Sequence, residues 1–102
     1  LTLNLINAGG DGVVSVASNI VPDRVVEMVN EAMAGNRENA ERLNNELSRI
    51  FKEIFIESNP IPVKYIMHRM GYCGLTYRLP MCPPTEKSRR ILDELIHSYK
   101  LI

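Results

Sequence analysis

A short β-branched run, Val13-Val14-Ser15-Val16-Ala17, constrains this chain more than any other feature. Gly12 precedes it and Ser18-Asn19 follow, so the sequence predicts one short strand there. Its residues are apolar on both faces, the pattern of a strand covered on both sides in a parallel sheet or barrel. A lone strand cannot satisfy its own backbone groups, and no other segment reads convincingly as a strand. Its partners are therefore expected outside these 102 residues. The opening residues point the same way: the chain enters on Leu1, with no Met and no polar leader, inside an apolar pattern of Leu1, Leu3, Leu5 and Ile6.

The remainder reads as helices punctuated by glycine and proline. Leu1, Leu3 and Leu5 alternate as a strand would, whereas Asn7-Ala8-Gly9-Gly10 looks like a helix stop. Pro22 suits a first helical position, where no donor is needed. Val25, Val26, Val29 and Met33 then form an apolar stripe that Gly35 ends. Asn36 is placed to cap the next helix. There Ala40, Leu43, Leu47, Ile50 and Ile54 recur at helical steps, widened by Phe51 and Phe55. The other face carries charges such as Glu38, Glu41, Arg42, Glu46 and Lys52, which predicts one long amphipathic helix. Pro60 and Pro62 break it by removing donors and restricting the residues before them. Pro62 opens a helix with Val63, Ile66, Met67 and Met70 on one side and Gly71 at its end. Tyr72 to Pro84 reads as a loop, and Thr85 as the N-cap of a last helix striped by Ile91, Leu92, Leu95, Ile96 and Tyr99.

Charge and composition narrow the function classes. Twelve basic residues balance twelve acidic ones, so no excess positive charge draws the chain to nucleic acid or to a membrane surface. No apolar run approaches the ~20 residues of a membrane helix, and no signal peptide is visible. Cys73 and Cys82 lack the closer pairing and further ligands of a zinc site, which His68 and His97 do not supply, and they read as reduced and inert. Gly9, Gly10 and Gly12 lack the spacing and following helix of a phosphate loop, so a helix stop and a tight turn explain them. Met28, Met33, Met67 and Met70 read as core filling, and Lys52, Lys87 and Lys100 as solvated charges. Ser15, Ser18 and Asn19 are expected to satisfy the turn after the strand or to cap the next helix.

Three stretches together resemble the dihydrodipicolinate synthase family: Gly9 to Asn19, Phe55 to Lys64 with its Asn-Pro-Ile-Pro-Val-Lys run, and Arg78-Leu79-Pro80 with Pro83. Their order and spacing agree with that family, and the resemblance runs from the first residue to the last. It implies the α/β fold class: the C-terminal part of a (β/α)8 TIM barrel followed by a small all-helical domain. A whole barrel takes about 250 residues, more than are present. Residues 1–34 would hold the end of helix seven, strand eight and helix eight, and residues 35–102 the C-terminal helical domain.

The resemblance also implies a chemistry. A barrel lysine condenses with pyruvate to a Schiff base, and the derived enamine attacks L-aspartate 4-semialdehyde. The adduct cyclises to 4-hydroxy-tetrahydrodipicolinate, for lysine and diaminopimelate biosynthesis, in the cytoplasm and with no cofactor. Such a lysine works because burial and positive neighbours lower an amine's pKa. The family carries it on strand six, with tyrosine and threonine proton-relay partners also upstream, so the catalytic residues are expected outside this chain. Lys64 lies within the matching motif, but it falls in the first turns of a helix and is expected to be structural. Val14 matches the family position that lines the pyruvate pocket near the C-terminal end of strand eight, where barrel active sites lie; a plain barrel-core valine is the alternative. Tyr72, Tyr77 and Arg78 face either the barrel mouth or another subunit. The family's homotetramer, a dimer of dimers, would put Asn4, Asn7 and Ala8 near a subunit boundary. Two other functions compete: a sister Schiff-base aldolase resembling N-acetylneuraminate lyase, which the Asn59–Lys64 motif argues against, and a free-standing, non-enzymatic helical interaction module, which the strand argues against.

Overall fold

The computed structural model describes all 102 residues. Its regular elements are α1 (Thr2–Asn7), a 3-10 turn (Ala17–Asn19), α2 (Pro22–Met33), α3 (Arg37–Glu46), α4 (Ser48–Glu53), α5 (Ile61–Arg69) and α6 (Glu86–Ser98). The chain divides into two compact units, Leu1–Ser48 and Arg49–Ile102.

In the first unit α2 packs against α1, α3 and the 3-10 turn. The ambiguous opening segment is helical, and it buries Leu3 and Ile6. Gly9 ends it with a positive φ of 109°. Its N–H bonds the carbonyl of Ile6 at 3.0 Å, while that of Gly10 bonds Leu5 at 2.9 Å. These two bonds satisfy carbonyls that a helix end leaves open. Pro22 is the first residue of α2, as expected. Of the expected stripe only Val25 is buried, Val29 is half-buried, and Val26 and Met33 are exposed; Met28, outside that stripe, is the residue buried with Val25. Full burial of a side chain like Met28 contributes roughly 1.5–3 kcal/mol. Asn36 occupies the N-cap of α3, but its side chain makes no cap bond. Its amide instead donates to the Glu31 carboxylate at 2.7 Å.

The expected strand over Val13–Ala17 does not form within these residues. Gly12, Val13 and Val14 make no backbone hydrogen bond, and Ala17 belongs to the 3-10 turn. A strand is held by the ladder to its neighbour, and no neighbouring strand is present here.

The single long helix expected from Asn36 onward is also corrected. It is two helices, α3 and α4, interrupted at Leu47. The Ser48 hydroxyl donates to the Asn45 carbonyl at 2.7 Å, a local bond that competes with the helix ladder. The apolar stripe survives the interruption, because Ala40, Leu43, Leu47, Ile50 and Ile54 are all buried.

In the second unit α5 packs on α6. Ile61, Val63, Ile66, Leu92, Leu95 and Ile96 form its core. Thr85 caps α6 as expected, its side chain accepting from the Ser88 N–H at 3.2 Å. Glu57 in turn accepts from the Thr85 N–H at 3.0 Å, fixing the start of α6. The loop between α5 and α6 is held by α5. Tyr77 donates its hydroxyl to the Ile61 carbonyl at 2.9 Å, and the Lys64 ammonium sits 5.1 Å over the Tyr77 ring. The α6 helix ends like α1, except that Lys100 takes the left-handed position, at φ 53°.

Candidate functional site

The site predicted from the sequence centres on Val14, and the structure leaves that side chain fully exposed. It is preceded by the α1 stop and followed by a turn that three polar side chains build. The Ser18 N–H donates to Ser15 Oγ at 3.2 Å, and the Ser18 hydroxyl donates to the Ser15 carbonyl at 2.7 Å. The Asn19 amide donates to the Val16 carbonyl at 3.0 Å. Ser15, Ser18 and Asn19 therefore serve the turn that leads into α2, as the sequence suggested.

A cleft of about 380 Å³ opens in the same unit, lined by Gly12, Val13, Ser15, Ser18, Val25 and Val29 among others. No ionisable side chain lines it, so it offers shape and apolar contact but no general acid, base or nucleophile. Val14 is not among its lining residues. Asn4, Asn7 and Ala8 are exposed on or just after α1, next to Leu5, which is also exposed.

None of the four lysines lines the cleft. Lys64 is half-buried, and its ammonium donates to the Thr76 carbonyl as well as covering Tyr77. Lys52, Lys87 and Lys100 are exposed. Cys73 and Cys82 are free and exposed. No group of three His, Cys, Asp or Glu side chains is arranged to hold a metal ion.

The strongest polar cluster was not anticipated. Asp93 on α6 accepts from the Tyr65 hydroxyl at 2.7 Å and from Arg69 at 2.6 Å, both on α5. Burial, and then the bond to Asp93, push the Tyr65 phenol above its ordinary range. Burial does the same to Tyr77. Arg49 makes a second junction, between α4 and α6: it donates to Glu53 and Ser98 at 3.0 Å and lies 3.5 Å from Glu94. Arg49–Glu53 and Tyr65–Arg69 follow helical i,i+4 spacing, but no spacing rule connects them to Asp93, Glu94 or Ser98, so only the fold reveals the clusters. The first lies between packed helices, the second ties α4 to α6, and both read as structural.

Helices packed beside one apolar segment whose backbone groups have no partner define an all-helical chain with no sheet of its own. Residues 1–99 match the model of the Dihydrodipicolinate synthetase family, and the chain belongs to that family. It is 44% identical over its whole length to the 4-hydroxy-tetrahydrodipicolinate synthase of Methanocaldococcus jannaschii, of which it covers 35%. The structure matches the crystal structure of dihydrodipicolinate synthase from Aquifex aeolicus with a TM-score of 0.98 and 37% identity, over 99% of this chain and 34% of that one. It matches the chloride-inhibited enzyme of Acinetobacter baumannii, complexed with pyruvate, with a TM-score of 0.93 and 36% identity, over 98% of this chain and 34% of that one. The chain thus spans about a third of the length of the curated relatives it matches.

Proposed function

We propose that this chain is part of a 4-hydroxy-tetrahydrodipicolinate synthase, a lyase that condenses pyruvate with L-aspartate 4-semialdehyde through a Schiff base on a lysine outside these residues. The observation that carries the reading is the family match over residues 1–99. The pyruvate held by the Acinetobacter baumannii relative supports the first substrate.

In this reading residues 1–34 close a (β/α)8 barrel and residues 35–102 form its helical appendage. Val13 to Ala17 becomes strand eight once a neighbouring strand supplies its ladder. Val14, fully exposed here, then turns its small apolar side chain toward pyruvate. Its methyl groups exclude water beside the imine without offering a group that competes for the carboxylate. The exposed Asn4, Asn7 and Ala8 supply part of a contact between subunits of a tetramer. One solved relative is described as a monomeric variant, so the oligomeric state is a separate measurement. No helix is long and apolar enough to cross a membrane.

The test is borohydride trapping on the full-length protein. Pyruvate with borohydride should add a stable mass, and turnover should require aspartate semialdehyde. Trapping followed by turnover of N-acetylneuraminate instead would move the protein to the sister aldolases. Absence of any trapped adduct would remove the Schiff-base mechanism. A cooperative, monomeric unfolding transition of residues 1–102 alone would favour the independent helical module.

A further inference from the structure

We draw no further inference here: the strongest candidate, the exposed tip of the loop between α5 and α6, where Leu79 stands clear of the fold beside the exposed Arg78, presents an apolar and a cationic side chain together, but nothing in the structure shows what covers it.

Discussion

Tyr65 on α5 donates its hydroxyl to Asp93 on α6 at 2.7 Å, and Arg69 reaches the same carboxylate oxygen from one turn further along α5. The carboxylate thus pins two points of one helix to one point of another. Tyr65 is buried, so its bond is less screened than a surface pair. Replacing Tyr65 by Phe removes the hydroxyl and leaves Asp93 with Arg69. A loss of about 1 kcal/mol is expected, measured in the full-length protein as a shift in the urea midpoint at unchanged slope.

The same tyrosines give the stability a pH dependence. Burial raises the phenols of both Tyr65 and Tyr77 in the folded protein. An unfolded tyrosine titrates near pH 10. A raised folded value means the contribution is complete below that point and is lost as pH rises through the folded value. Stability should therefore fall above roughly pH 10. The decline should be shallower in the Tyr65→Phe and Tyr77→Phe variants, followed by denaturant titrations at stepped alkaline pH. Equal slopes in all three proteins would show that these phenols do not carry it.

Lys100 occupies a left-handed conformation where α1, α2 and α5 are followed by Gly9, Gly35 and Gly71. A side chain there costs about 1 kcal/mol relative to glycine. Lys100→Gly should raise stability by roughly 0.5–1 kcal/mol, visible as a higher Tm. An unchanged or lower Tm would mean that the lysine's contacts outweigh its backbone strain.

Gly10 makes the opposite case. A Cβ at this position would lie 2.9 Å from the Leu5 carbonyl oxygen, which is backbone and cannot step aside cheaply. That same oxygen accepts the Gly10 N–H. Gly10→Ala should cost about 1–3 kcal/mol, while Gly74→Ala, where nothing lies within 4 Å, should have little effect. Thermal unfolding of the two variants side by side checks the contrast.

For Val14 the expectation concerns binding. In the full-length protein Val14→Asp should raise the KM for pyruvate by roughly tenfold or more, since a carboxylate would sit in an apolar contact beside an anionic substrate. The KM for aspartate semialdehyde should move less. A variant with unaltered pyruvate kinetics would leave Val14 as ordinary barrel filling.

Much of the helical frame was legible because local chemistry decides it. Pro22 starts α2, Thr85 caps α6, and Gly9, Gly35 and Gly71 follow helix ends with positive φ, each for reasons contained within a few residues. The failures share another origin. Asn36 has the side chain of a cap, yet Glu31 offers its amide a charged acceptor. The stripe from Ala40 to Ile54 is continuous, and only the Ser48 hydroxyl bond to Asn45 marks the interruption at Leu47. Val26 and Met33 fit the period of α2, but the face that α1 and α3 cover lies to one side of them. The valine run reads as a strand because of its side chains, whereas a strand exists only through hydrogen bonds to another chain segment. The Asp93 cluster and the Lys64–Tyr77 contact join distant positions, which no periodicity encodes.

Amide hydrogens at Gly12, Val13 and Val14 are left to the solvent. A valine-rich ribbon in that state will template any polypeptide edge that meets it. A neighbouring strand would satisfy the same groups through its ladder. These few residues are thus the place where an added strand would find amide donors already free.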